Sequence, residues 1–583
     1  MKNKKFLQRL AVVTAVSLMT VSSVQPLTAK AVSFPDEYVN HKKALKNATL
    51  HVGYASDGAF KGIFLDLLDG DSKTSNMASP GSATLFKTNE EGRYVNGGFA
   101  KIKFDKKAKT VLITVNKNIR WSDGKPVTAR DVAFPYEIVA NKDSSSPYYN
   151  ELLENIEGVK EYHEGKADKI SGLEEKDSNH LLIHFKKLTP AAEYTGSGYI
   201  YDVAYPYHYL KDIPIAKLAQ SDKVRKHPMF FGPYKVKKIV QGESIEWVPN
   251  KYYGGPKPKL SKIITEIVPN SQVVAAMKAG KYDILLNTSN GAYNKLKDEK
   301  NLVTIGDLGT DFTYLGFKVG HVDKEGKSVM DKKLPTSNRS LRRAVAYAMN
   351  ADAIAKKYGK GVSKHANTVI SPAYGKYHDK NVKPYDFNLK KANKLLDNAG
   401  FKRGKDGYRT QPNGKKLVLT MLAASGTKDG EAIRANYIQL WKKVGLNVKL
   451  YSGKALDYNN FLDLLKSKKE NKFDFWTGSW TLPPEPTSFP TFISTPDSDF
   501  NFGHFATKKN DELVASMNSQ KAFDTKYRIQ QVYKWQQYMQ DEAYVVPLFY
   551  LYDLSTVTKN VKGMSADASS NEYSVWDQVA LTK

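Results

Sequence analysis

The chain offers few residue groupings that could do covalent chemistry. His180 and His184 stand four apart in "HLLIHF". On a helix that spacing would set two imidazoles over one metal ion, but the apolar alternation here predicts a strand. On a strand they lie about 13 Å apart and cannot share an ion. Acid pairs such as Glu174-Glu175 and Asp69-Asp71 have the make-up of a glycosidase site, yet such pairs are ordinary in a chain with 60 acidic residues. No G-x-S-x-G elbow, H-E-x-x-H helix or G-x-x-x-x-G-K-[ST] phosphate loop occurs. Cysteine is absent, which removes thiol nucleophiles, thiolate metal sites and any lipid attached through cysteine. No catalytic residue, metal site or cofactor is expected.

The 583 residues are enough for two or three lobes, and 41% hydrophobic with 11% aromatic content suits a folded globular chain. The start has the layout of an export signal. Lys2, Lys4, Lys5 and Arg9 precede an apolar run from Leu10 to about Val24, followed by Ala29-Lys30-Ala31. That run is short for a transmembrane span, so residues 1–31 are expected to be a signal peptide cleaved after Ala31. Removing its five basic residues takes the formal charge from +28 to +23. The remaining basic residues are mostly dispersed as pairs such as Lys106-Lys107 and Lys468-Lys469, which reads as a solvated face. No nucleic-acid partner is expected. For an exported chain, an anionic cell surface is the fitting counterpart.

The elements that must position a site follow from periodicity. In "SQVVAAMKAGKYDILLN" a helix stops near Gly280 and Tyr282 to Leu286 reads as a strand. "AIRANYIQLWKKVGLNVKLYS" repeats the pattern, with Ile433, Tyr437, Trp441 and Val444 on one helical face and Gly445 as the stop. Such alternation predicts α/β lobes with largely parallel sheets. "NLKKANKLLDNAGF" reads as a helix capped by Asn388 and stopped at Gly400. "AKTVLITVNKNIRW" and "NHLLIHFKKL" alternate like half-exposed strands.

Three segments in a fixed order carry a family resemblance: "IRWSDGKPVTARDVAFPYEIV", "FGPYKVKKIVQGESIEWVPNKYYGGPKPKLSKI", and "NRSLRRAVAYAMNADAIAKKYGKG" with "KKANKLLDNAGF". Together they resemble the peptide-binding branch of the extracytoplasmic solute-binding proteins of ABC importers. The oligopeptide-binding proteins of lactic acid bacteria are similar also in "FDFWTGSWTLPPEPTSF" and "FNFGHF". The resemblance implies a three-lobed periplasmic-binding-protein-like fold, with two α/β lobes around a cleft, hinge strands and an inserted lobe. It places residues 32–88, 199–310 and 546–583 in lobe I, 89–198 in the inserted lobe II and 311–545 in lobe III. It implies oligopeptides as ligands, an ABC permease as partner and a monomer as the working form. Because backbone is what all peptides share, strand-like main-chain hydrogen bonds are the expected source of affinity.

The peptide-binding candidates follow from that resemblance. In "FWTGSWTLPPEP", Gly478 permits close backbone approach and Trp480 can stack on a side chain; Ser479 and Thr481 flank it. Tyr54 and Ser56 follow the first strand in "GYASDG", and Asn501, Phe502 and His504 lie in "FNFGHF". Some relatives hold the peptide's ammonium with an aspartate in the first of these segments; here no acid precedes Glu485, so long peptides with overhanging ends are expected to bind. Trp121 is expected in the core. Relatives anchored through a lipid-modified cysteine have no counterpart here, so an anionic wall polymer is the expected tether. The same basic, cysteine-free surface fits an alternative role as cell-surface adhesin or peptide-pheromone receptor.

Overall fold

The computed structural model describes residues 34–149, 152–426, 428–467, 472–480, 482–488, 493–496, 498, 500–567 and 573–583. The expected signal peptide and Thr481 lie outside the described residues. Among the described residues, no helix is long and apolar enough to cross a membrane.

One large mixed sheet runs through the molecule. From one edge its order is Asn447–Leu450, Val418–Leu422, Phe475–Trp480, Leu302–Phe317, Val545–Thr558, Ile284–Leu286, Thr49–Ala55, Lys262–Val268, Ser244–Pro249 and Tyr234–Val240. One helix–glycine–strand unit supplies an edge strand of this sheet and another supplies an interior strand. Helix Val273–Lys278 gives way at Gly280 (φ +69°) to strand Ile284–Leu286, which pairs in parallel with Thr49–Ala55. Helix Lys428–Lys443 gives way at Gly445 (φ +82°) to Asn447–Leu450, parallel to Val418–Leu422. Glycine takes these left-handed positions without the Cβ clash that other residues meet. Asn388 caps helix Leu389–Asn398 by accepting from Lys391 N at 2.8 Å, as its sequence indicates.

The centre of the sheet and its Tyr234–Val240 end depart from the parallel expectation, being antiparallel. Leu302–Phe317 and Val545–Thr558 are long antiparallel partners that traverse both halves. Their register breaks between Leu308 and Phe312, so Gly309, Thr310 and Asp311 face the single residue Leu551. A bulge bends its strand and interrupts the ladder. Here it falls where the sheet passes from one half to the other.

A second, four-stranded antiparallel sheet has the order Ala100–Asp105, Thr110–Val115, His180–His184, Leu173–Asp177. Its central strands bury alternate residues, and Val111, Ile113, Leu181 and Ile183 join helix Ala129–Ala140 in one core. Trp121 belongs to that core at 1% exposure, set edge-on against Phe231. His180 and His184 stand on a strand, as their alternation predicts, with Asp177 and Glu174 as respective partners. Two further large cores occupy the two ends of the main sheet, one around Leu50, Trp247 and Ile263 and one around Phe317, Leu341, Trp441 and Trp535.

Candidate functional site

Strand Phe475–Trp480 carries the site. On one side it pairs along its whole length with Phe312–Phe317. On the other it meets Val418–Leu422 only at Phe475 and Trp476. The edge from Thr477 to Ser479 therefore has no strand neighbour on that side among the described residues. It opens into a cavity of about 690 Å³. Helices Lys428–Lys443 and Tyr458–Lys466 roof the cavity with Ile433, Tyr437, Tyr458 and Phe461. Arg434 and Lys466 are its charged lining residues, and among the described residues no acid lines it.

Aromatic stacking shapes the floor. Trp480 lies nearly parallel to Tyr314 (centroids 6.3 Å, 13°) and to Phe502 (5.7 Å, 11°), with Phe500 edge-on at 5.7 Å. Gly478 is the cross-strand partner of Tyr314. A Cβ at Gly478 would stand 3.1 Å from the Tyr314 hydroxyl oxygen, tighter than ordinary contact. The missing side chain thus leaves room for the tyrosine ring as well as for an approaching backbone. Burial pushes the Tyr314 hydroxyl well above its usual range, partly offset by the indole N–H of Trp476, which donates to it at 3.2 Å.

Gly478, Ser479, Trp480 and Phe502 are brought together here. Tyr54, Ser56, Asn501 and His504 are not. Tyr54 is 9% exposed and packs in the core around Leu50 and Trp247, because its strand is flanked by neighbours on both sides. Ser56 continues that edge, its N–H donating to Val268 O at 2.9 Å. Asn501 is buried and its amide donates to the carbonyls of Thr495 and Phe505, which shapes its own loop. His504 is 8% exposed, sits at φ +53° and pairs through Nδ1 with Ser328 Oγ at 3.1 Å. It is a structural histidine. Patterning alone does not single out Tyr314, Tyr458 and Phe461, since an aromatic stripe on a strand or helix reads equally as core. A second cavity of about 390 Å³, lined by Phe64, Trp121, Tyr205, Phe231 and Trp576, presents no comparable strand edge among the described residues.

The segment after Trp480 does a different job. Pro483 and Pro484 pack against Gly196 and Gly92, where a Cβ would come within 2.6 Å and 2.3 Å of the respective proline Cβ atoms. Glu485 is 1% exposed and accepts hydrogen bonds from Arg528, from Thr487 N at 2.8 Å and from Ser488 Oγ at 3.0 Å. The Arg528 guanidinium lies over the rings of Tyr194 and Tyr377, whose hydroxyls are 2.9 Å apart. Arg93 donates to the Tyr194 hydroxyl at 3.0 Å. This network joins the end of the cavity strand to the body that holds the four-stranded sheet.

Asp474 opens the strand. Its N–H donates to Thr420 O, and its Oδ2 accepts from Thr420 N at 2.7 Å. Burial raises its carboxyl from 3.8 to about 6, against the opposing pull of that backbone hydrogen bond. The folded chain therefore holds a proton that the unfolded chain releases between pH 3.8 and about 6. Stability falls as pH rises through that window and stays reduced above it. Each pH unit across the window is worth about 1.4 kcal/mol, lessened here because the residue keeps some solvent contact. Asp474→Asn is expected to raise the melting temperature by a few degrees at about pH 7.5 and to leave it nearly unchanged at about pH 3.5. Equal changes at both pH values would contradict this.

A mixed sheet traversed by two long strands, with a ligand-sized cavity beside an open strand edge, defines a periplasmic-binding-protein-like fold. The family model for bacterial extracellular solute-binding proteins, family 5 Middle, matches residues 95–501, and the chain belongs to that family. It is 37% identical over 570 residues to the oligopeptide-binding protein OppA of Lactococcus lactis subsp. lactis (strain IL1403), covering 96% of this chain and 94% of that one. The oligopeptide-binding protein AppA of Bacillus subtilis (strain 168) is 24% identical over 473 residues, 79% of each chain. Lactococcal OppA, solved with an endogenous peptide in the closed conformation, superimposes with a TM-score of 0.84 at 35% identity, over 91% of this chain and 100% of that chain. AppA from Bacillus subtilis in complex with a nonapeptide shares the fold at a TM-score of 0.72 and 22% identity, over 93% and 100%.

Proposed function

We propose that the protein captures oligopeptides outside the cytoplasmic membrane, in a cleft that closes around them, and delivers them to the permease of an ABC importer. The observation that carries this reading is the open edge of Thr477 to Ser479 facing an aromatic cavity of 690 Å³. An extended peptide can add to such an edge through its backbone, while its side chains enter the cavity. Gly478, Ser479, Trp480 and Phe502 are the contacts we assign. The protein catalyses no reaction and works as a monomer. Lobe I comprises residues 32–88 and 199–310 with the C-terminal segment, lobe II is 89–198, and lobe III begins at 311. The register break supports that crossing, and on the returning strand it supports a crossing near Leu551 rather than at 545/546. Closure then bends the two long strands at their bulge.

Residues 1–31 direct export and are removed. The mature surface, at +23, holds to anionic wall polymers by attraction that salt screens. Concentrated salt should release the protein from intact cells; retention until detergent is added would refute this tether. For the binding reading, residues 32–583 should give a native mass spectrum with a broad set of heavier species that collapses to the bare mass on denaturation. A single bare mass, unchanged after a peptide digest is added, would overturn it in favour of the adhesin role.

A further inference from the structure

Three side chains from separate segments converge beside the long strand Val545–Thr558. Asp352 stands in the short helix Ala351–Ile354, and Asp386 lies in the loop before helix Leu389–Asn398. His365 stands on Lys364–His365, which pairs antiparallel with Tyr550 and Phe549. One ligand atom from each of the three lies within 4.8 Å of the others. His365 Nδ1 is 3.1 Å from Asp352 Oδ1, within hydrogen-bond distance; the His365 side chain is 9% exposed, while Asp352 and Asp386 are both exposed. Strand pairing fixes the backbone of His365, and Asn350 caps the turn that carries Asp352 by accepting from Ala353 N at 3.1 Å. The chain has 88 lysines and arginines, yet among the described residues no lysine or arginine ion pair forms with Asp352 or Asp386.

From this convergence we propose a binding site for a borderline divalent cation of the Zn²⁺ type, held by His365, Asp352 and Asp386. An imidazole nitrogen with two carboxylate oxygens is a donor set for zinc and its neighbours, and an N···O separation near 3 Å is what two ligands on one such ion adopt. Three protein ligands leave the remaining positions to water. The ion would tie the helix and the loop to the sheet next to the register break, where Phe549 also lines the peptide cavity. Its role is therefore structural, bracing one side of the hinge. The spacing 352, 365, 386 matches no sequence signature, which is why only the fold brings these residues together.

The test uses residues 32–583, stripped with EDTA and dialysed, then titrated calorimetrically with ZnCl₂. One saturable site is expected. His365→Ala and Asp386→Asn should each weaken it at least tenfold, while Asp177→Asn, at the separate His180 surface pair, should leave it unchanged. Melting curves without metal establish that each variant is folded, and the exposed position of Asp386 makes its variant the decisive one. Absence of saturable zinc binding, or binding that survives Asp386→Asn, would overturn the proposal.

Discussion

Replacing Glu485 with alanine is expected to lower the stability of the protein by about 3–5 kcal/mol, the range for breaking a fully buried ion pair by removing one partner. The magnitude comes from what is left behind. Glu485 and Arg528 have side chains 0% and 1% exposed, so the arginine would keep its charge without a carboxylate to neutralise it. Its Nε–H already donates to Met517 O, and its Nη1 has no hydrogen-bond partner among the described residues. Its Nη2 would keep the neutral acceptors Thr487 Oγ1 at 3.1 Å and Asn518 Oδ1 at 3.4 Å, and its face the rings of Tyr194 and Tyr377, none of which supplies a countercharge. Guanidinium titration followed by tryptophan fluorescence measures the loss. A change worth less than about 1 kcal/mol would mean that water reaches the pair. The double change Glu485→Leu with Arg528→Met should recover much of the stability, because the desolvation cost of both charges disappears with them.

The pair lies close in sequence to the cavity strand. Glu485 follows the cavity strand by five residues, and the proline pair between them packs on Gly92 and Gly196. The prolines and the ion pair thus connect the neighbourhood of the cavity edge to the body that holds the four-stranded sheet.

Much of this is legible in the chain. Helix–glycine–strand units at Gly280 and Gly445, the Asn388 cap and the alternating strands around Val111 and Ile183 are local signals, and each reports its own element. The segment from Phe475 stands out for the same reason: glycine, tryptophan and prolines in close order leave few ordinary roles for a strand end. The failures share a cause too. Tyr54 and Ser56 follow a strand, but whether that strand has one neighbour or two depends on Lys262–Val268 and Ile284–Leu286, more than 200 residues on. Asn501 reads as a polar contact among aromatics, yet its partners are carbonyls within six residues. Ile433 and Tyr437 share one helical face as their spacing predicts, but an apolar face gives the same pattern over a core as over a cavity. The Glu485–Arg528 pair spans 43 residues and leaves no local trace.

Trp480→Ala is expected to weaken peptide binding by about 10- to 100-fold, near 1.4–2.8 kcal/mol. Trp480 is half-buried, so one part of the indole is engaged with Tyr314 and Phe502 while the rest faces the cavity. A rigid aromatic platform already held by its neighbours loses little freedom when a ligand stacks on it, which is what makes such residues dominate binding energies. The measurement is calorimetric titration with a peptide recovered from the purified protein. Trp480→Phe should restore most of the affinity, since it keeps a stacking face between the same partners. Tyr458→Ala, at a rim position 63% exposed, should change affinity less than about threefold. A purely structural role makes a different forecast: Trp480→Ala would then lower the melting temperature and leave the affinity of the folded fraction intact. An affinity change below twofold, with or without that drop, would remove Trp480 from the site and leave the open backbone edge of Thr477 to Ser479 as the remaining basis for capture.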